Sequence, residues 1–339
     1  MRILFLSKNM EKYNSASYQH EFYAELQRHT DVIPWGPGFA GYDPHQSLDE
    51  LIKKYSITDI FVGHSWLPDG IGNYIDGAIN LHSFTECEIN KFAFLNKEYT
   101  RLQEKLDFFK KGRFTHIFTH HHDIENYFHH TQIPFTFVPF ASVPSLESSL
   151  PKKSIDIFFS GLLRNTNIIA STDIRERIQK KLFYTAYDFS LFRRFKYRNT
   201  KIVWINYTFS PIGKLLSRFF NRKERLTSDE YQKMLNLSKA IINTFSPMNL
   251  IGTRYYETMA HKAIVLCESG NYHNIFRDMD NCIMFNKDLS DFHDKLLFSI
   301  SDSIERTKII SNAYDDFMEN HTWYHRVSKI LTIMEDYHG

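Results

Sequence analysis

Cysteine is scarce: Cys87, Cys267 and Cys282 are the only three in 339 residues, and no two form a CxxC pair. This excludes a disulfide framework and a thiolate zinc site, and makes a reducing compartment the default expectation. No apolar run approaches the roughly 18 residues that a membrane-spanning helix needs. A strand-like run, Ile3-Leu4-Phe5-Leu6, follows Met1 at once, without the apolar region of a signal peptide. Net charge is low at +2, so the chain as a whole is not a polyanion binder and no nucleic-acid partner is expected. Signature motifs are missing as well. Neither half opens on a strand followed by GxGxxG, and there is no Walker A loop, GxSxG elbow, HExxH or kinase signature. Classical dinucleotide, phosphotransfer and hydrolase chemistry lose their usual carriers.

What is present describes a folded chain. Hydrophobic residues make up 42% and charged residues 24%, enough to bury large cores and too apolar for bulk disorder. At roughly 150 residues per domain, two domains are expected. The abundance of Phe, Tyr, Ile, Asn and Lys is what an AT-rich genome encodes and carries little functional weight.

Strand and helix signals alternate along the first half. Arg2 to Ser7 reads as a buried strand, and Tyr18, Phe22 and Leu26 form a helical stripe. Asp31 to Trp35 is a second strand closed by Gly36-Pro37-Gly38, and Ser47-Leu48-Asp49-Glu50 is a capping box opening a helix. Asp59 to Gly63 predicts a strand ending at His64. Ile79-Asn80-Leu81-His82 predicts another, followed by a long helix from Asn90 to Lys111. Strands at Thr115 to Thr119 and Phe135 to Val138 flank a helix near Asp123 to His130. Such alternation implies a parallel sheet covered by helices on both faces. Pro139, Pro144, Ser145, Ser148, Ser149 and Pro151 then mark a linker. The second half repeats the pattern: strands near Ile155, Lys201, Ala240, Ala263 and Cys282, helices near Asp173, Ser228 and Arg254, and a helical end from Leu289. Two such domains are expected to face a cleft at the carboxyl ends of their strands.

The most informative stretch runs Asn249-Leu250-Ile251-Gly252-Thr253-Arg254-Tyr255-Tyr256-Glu257-Thr258-Met259-Ala260-His261-Lys262-Ala263-Ile264-Val265-Leu266-Cys267. It reads as a glycine-containing loop, a short helix, a tight turn and a strand. Free N–H groups at the helix start, beside Arg254, suit a diphosphate. Glu257, one turn on, can accept both hydroxyls of a ribose. The same residues also suit an ordinary helix-strand unit with surface charges, so the pattern leaves both readings open.

This stretch resembles the nucleotide-sugar segment of GT-B glycosyltransferases. It is most similar to the spore-maturation CgeB-like group and more distantly to the retaining family 4, which carry R-x-F-E-x-x-A-x-G-x-x-x-L. Arg254, Glu257, Ala260 and Leu266 match. Lys262 stands where glycine is usual, and Asn249 where family 4 has the first of two glutamates. Ile155-Asp156-Ile157-Phe158-Phe159-Ser160-Gly161, with Arg164 beyond, resembles the strand and loop that open the nucleotide domain and face the donor phosphates. Asn320-His321-Thr322-Trp323-Tyr324-His325-Arg326 resembles the closing H-T-x-x-x-R before the last helix.

The resemblance implies two Rossmann-like parallel-sheet domains facing a cleft: an acceptor-binding domain over 1–148, a nucleotide-sugar domain over 149–320, and a terminal helix over 321–339 packing back toward the first. It implies a metal-independent hexosyltransferase-like enzyme using a nucleotide-diphosphate sugar as co-substrate and no other cofactor. The acceptor would be a glycan, glycoconjugate or lipid-linked molecule in surface-polysaccharide synthesis. Gly161, Arg164, Asn249, Gly252, Thr253, Arg254 and Glu257 would hold the donor. A nucleotide-sugar epimerase and a non-catalytic carbohydrate-binding protein on the same fold stay open.

Histidine is the next candidate chemistry. His82, at an expected strand end, resembles the histidine that contacts the transferred sugar in retaining relatives. Hydrogen bonding to a sugar hydroxyl or general-base work both suit imidazole, and His64 and His20 are weaker versions of the same case. His120, His121, His122, His129 and His130 have no cysteine or carboxylate partner to close a four-ligand set, so they read as a surface helix end and no metal is expected. Asp278-Met279-Asp280 reads as a solvated turn. Finally, Ser190 to Leu226 holds ten basic residues against Glu224 alone, interleaved with Phe192, Phe195, Tyr197, Phe219 and Phe220. A membrane surface, a polyanionic acceptor or a solvated loop all fit this Arg193–Arg225 region. The expected location is cytoplasmic, with peripheral contact at the inner membrane face through this region.

Overall fold

The computed structural model describes residues 1–12, 17–67, 77–145, 152–164, 169–182, 200–208 and 226–339. The chain divides into two compact units, Met1–Ala141 with Trp323–Gly339, and Ser142–Thr322. In the basic region between Ser190 and Leu226, residues 190–199 and 209–225, which hold every basic side chain but Lys201, lie outside the described residues.

In the first unit, β1 (Arg2–Leu6), β2 (Asp31–Trp35), β3 (Asp59–Val62), β4 (Asn90–Leu95), β5 (His116–Thr119) and β6 (Phe135–Phe137) form one sheet in the order β2-β1-β3-β4-β5-β6. Every pairing is parallel. Ile3, Leu4, Phe5 and Leu6 are all buried, as strands covered on both faces must be. The connecting helices are α1 (Ser17–His29), α2 (Leu48–Tyr55), α3 (Leu81–Glu86), α4 (Leu102–Lys111) and α5 (Ile124–Thr131). The capping box of α2 forms as the sequence predicts, with Ser47 Oγ accepting from Glu50 N and the Glu50 carboxylate accepting from Ser47 N.

Two expectations fail here. No strand forms at Ile79–His82. Asn80 instead caps α3, its side-chain oxygen accepting from His82 N and Ser83 N. The long helix expected over Asn90–Lys111 is β4 followed by a loop and α4. Phe92-Ala93-Phe94-Leu95 is a continuous apolar run buried on both faces, and such a run has no helical periodicity.

In the second unit, β7 (Ile155–Arg164), β8 (Ile202–Thr208), β9 (Ser238–Asn243), β10 (Ile264–Glu268) and β11 (Ile283–Phe285) make a parallel sheet in the order β11-β10-β9-β7-β8. Its helices are α6 (Ile169–Leu182), α7 (Ser228–Leu237), α8 (Thr253–Ala260), α9 (Phe292–Ile300) and α10 (Ile304–Asn320). The last helix, α11 (Trp323–Glu335), belongs to the first unit. Its stripe Trp323, Val327, Ile330 and Met334 is buried with Phe22, Phe61 and Phe94. Trp323 Nε1 donates to Glu21 Oε2 at 2.8 Å, and Arg326 Nε to the Pro139 carbonyl at 2.9 Å.

Among the described residues, no helix is long and apolar enough to cross a membrane.

Candidate functional site

The stretch singled out in the sequence folds at the carboxyl edge of the second unit's sheet. After β9 the chain turns through Pro247–Asn249, where Met248 and Asn249 both adopt left-handed backbone at φ 60° and 58°. Ser246 N donates to the Leu250 carbonyl at 2.9 Å and closes the turn. Gly252 then stands as the N-cap of α8 and provides no capping side chain. Gly252, Thr253 and Arg254 are half-buried, whereas every residue from Tyr255 to Ala260 is buried. The helix therefore offers its amino end while the rest of it serves the core.

Arg254 lies over Gly161 at the far end of β7. A β-carbon on Gly161 would stand 3.4 Å from both Nη1 and Nη2 of that guanidinium. Arg254 Cζ also sits 5.5 Å from the Phe159 ring centroid, within cation-π range. Thus the glycine of β7 and the guanidinium of α8 are in van der Waals reach of each other, and two predicted positions 93 residues apart in sequence meet. Glu257 is buried at 8% exposure. Its Oε2 accepts from the Tyr231 hydroxyl of α7 at 2.5 Å. Burial raises the Glu257 carboxyl above its ordinary range, and the Tyr231 hydrogen bond and the Arg254 charge pull it back down. Burial and the neighbouring Glu257 push the Tyr231 phenol strongly up. Asn249 is exposed in the turn. Arg164 closes β7, and its side chain lies outside the described set.

A ring of residues that the motif did not flag surrounds this edge. Arg175 of α6 donates to Thr244 Oγ1 at 2.7 Å, to the Leu162 carbonyl at 2.9 Å and to the Phe245 carbonyl at 3.3 Å. Glu268, the last residue of β10, accepts from Phe245 N at 2.8 Å. Tyr231, Arg175 and Glu268 come from three other elements, and no local spacing links them to Arg254. The one sequence signal available was position: Glu268 ends an apolar strand, where sheets of this kind place functional groups.

The histidines distribute differently from expectation. His82 lies on α3 and its side chain is 83% exposed, with Glu86 at 3.9 Å; the strand end that singled it out is absent. His64 follows β3 and is sealed. Its ring stacks on Phe94 at 4.1 Å and meets Tyr18 and Phe22 edge-on. His64 Nε2 lies 2.9 Å from His120 Nε2. His120 Nδ1 faces the Val138 carbonyl at 2.7 Å, so Nδ1 carries the proton of His120 and His64 donates through Nε2. Burial brings His120 down to about 3 and His64 well below its ordinary value, so both rings are neutral at pH 7. His120 and His121 are buried just beyond β5, which corrects the expected surface helix end for these two; His122 is exposed, and His129 and His130 lie in the last turn of α5, the first exposed and the second half-buried. His20 is half-buried on α1.

Among the described residues no group of three His, Cys, Asp or Glu is arranged to hold a metal ion. In the Asp278-Met279-Asp280 turn, both carboxylates have local work. Asp278 accepts from Met284 N and pairs with Lys295, and Asp280 pairs with Arg277 and accepts from Asn312.

Residues 198–332 match the family described as Glycosyl transferase-like. No curated protein matches the chain in sequence. Solved structures do match in shape. A DNA-modifying β-glucosyltransferase, whose substrate is uridine diphosphoglucose, shares 13% identity over 97% of both chains with a TM-score of 0.57. A glycosyltransferase from Rickettsia africae ESF-5 shares 12% identity over 99% of this chain and 98% of its own, at 0.59. Anabaena Alr3699/HepE, solved in complex with UDP, shares 11% over 99% of this chain and 100% of its own, at 0.59. The chain has the fold of the GT-B glycosyltransferases, two Rossmann-like units, and its residues 198–332 carry the glycosyl transferase-like pattern.

Proposed function

We propose that the protein is a glycosyltransferase that moves a sugar from a nucleotide-diphosphate sugar to a glycan or lipid-linked acceptor. The observation that carries this reading is the meeting of Arg254 with Gly161 beside the α8 amino end. A guanidinium and a helix amino terminus at one sheet edge give a diphosphate two sources of positive potential. Both act on the leaving group, where charge grows as the glycosidic bond breaks, so departure proceeds without a divalent ion. Glu257 accepts the ribose hydroxyls, and Gly161, Arg164, Asn249, Gly252 and Thr253 line the donor. The UDP and UDP-glucose held by structural neighbours support the same donor class. In this reading the acceptor belongs to surface-polysaccharide synthesis, and the basic region Arg193–Arg225 touches an anionic membrane surface. Co-sedimentation with phosphatidylglycerol vesicles, absent with neutral ones, checks that last point.

The deciding experiment incubates the protein with a panel of nucleotide sugars, with and without candidate acceptors, in the presence of EDTA. Acceptor-dependent release of nucleoside diphosphate is the expected result. Formation of an epimerised donor without acceptor would assign the epimerase activity instead. Silence with every donor, metal added or not, would remove the catalytic reading.

A further inference from the structure

Phe245 stands two residues beyond the end of β9, where its backbone aims the turn leading into α8, and both its polar backbone groups are held by charged side chains. Its carbonyl accepts from Arg175 Nη2 and its N–H donates to Glu268 Oε1. The same Arg175 guanidinium spans two further points, the Leu162 carbonyl next to Gly161 and Thr244 Oγ1. One planar side chain therefore ties the strand end that underlies Arg254 to the strand end that launches the Gly252 loop. The Phe245 ring is fixed as well: it stacks on Tyr272 at 4.6 Å and 18°. A β-carbon on Gly270 would come within 2.5 Å of it. Two consecutive left-handed residues, Met248 and Asn249, follow, and such backbone persists only where its ends are held.

We propose that Arg175 and Glu268 are positioning residues for the donor diphosphate, setting the placement of the α8 amino end relative to Gly161 through the backbone of Phe245. The proposal rests on the donor-site reading above. Neither side chain needs to touch the nucleotide. Arg175 is suited to the task because its fork reaches three acceptors at once, which the single ammonium of lysine cannot do. Glu268 requires only an acceptor oxygen, which glutamine retains. Displacing the helix end by a fraction of an ångström weakens every contact it makes.

The test is calorimetric titration with UDP, GDP, CDP and ADP in parallel, alongside thermal unfolding, on wild type, Arg175→Met, Arg175→Lys, Glu268→Ala and Glu268→Gln. We expect the dissociation constant of the preferred nucleotide to rise by about tenfold or more in Arg175→Met and Glu268→Ala. Arg175→Lys should recover little of this loss, and Glu268→Gln should recover most of it. A lower melting temperature with an unchanged dissociation constant in the folded fraction overturns the proposal and leaves the donor site standing. Equal affinity in Glu268→Ala and Glu268→Gln overturns it too, even where Arg175→Met fails to fold. A wild-type protein that binds none of the four nucleotides overturns the donor-site reading, and this proposal with it.

Discussion

At Glu257 stability and the proposed ribose contact pull in opposite directions. A carboxyl buried at 8% exposure is held above its ordinary range by desolvation, while the Tyr231 phenol and Arg254 favour its charged form. The fold binds that proton more tightly than the unfolded chain does. Its contribution to stability is therefore present below the unfolded value and lost as pH rises through the folded one. A ribose contact asks for the opposite, an ionised acceptor, so nucleotide affinity should fall as pH drops into the raised range. Tyr231→Phe removes one group that lowers the Glu257 value, so this loss of affinity should move to higher pH, while at alkaline pH the variant should approach wild type. Glu257→Gln should weaken the nucleotide by about 1–2 kcal/mol, the difference between charged and neutral hydrogen bonds, without lowering the melting temperature at pH 7. Affinity profiles measured by calorimetry between pH 5 and 9 check both expectations. A Tyr231→Phe profile superimposable on wild type would detach the tyrosine from the carboxylate.

At the scale of elements, legibility followed the kind of signal each segment carries. Period-2 and continuous apolar runs next to caps and glycines marked β1, β2, β3, α2, α7, α8 and β10, and all of them form. Ile79–His82 misled because two apolar residues alternating with polar ones mimic a strand. The Asn80-x-x-Ser83 spacing in the same segment is the cap that wins, since it satisfies two backbone donors. The proposed donor edge was half legible: Arg254 and Glu257 stand in one contiguous pattern, whereas Arg175, Tyr231 and Glu268 reach the edge only through the sheet order. The turn after α8 shows the same mixture. Lys262, standing where glycine is usual, adopts φ 50°, and its Nζ lies 4.2 Å from the Tyr314 ring. Left-handed backbone costs a non-glycine residue about 1–2 kcal/mol, and the exposed cation-π contact returns about 0.5–1. Lys262→Gly should therefore stabilise the protein by no more than about 1.5 kcal/mol, read as a small rise in the urea midpoint. A clear destabilisation would mean that the Tyr314 contact outweighs the backbone strain.

Over the whole molecule the two units are unequal in how the chain builds them. Residues 142–322 are contiguous and contain a complete five-stranded sheet, whereas the first unit needs residues 1–141 and the distant stretch 323–339. That stretch is not an accessory. Trp323, Val327, Ile330 and Met334 are each at most 1% exposed and share a core with Phe22, Phe61 and Phe94. Burying such side chains stabilises by about 1.5–3 kcal/mol each, so the four together match the entire stability of a typical domain, about 5–15 kcal/mol. The C-terminal contacts continue to His338, whose Nε2 lies 2.8 Å from the buried Asp59 carboxylate. Residues 142–322 expressed alone should therefore unfold cooperatively and keep the nucleotide affinity of the full chain, because every described residue of the proposed donor site lies within them. Residues 1–141 alone should lack a cooperative thermal transition and regain one when a synthetic peptide of residues 323–339 is added. Circular dichroism melts of the two fragments decide the matter. A fragment 1–141 that melts sharply without the peptide would show that the C-terminal helix decorates a finished core rather than completing it.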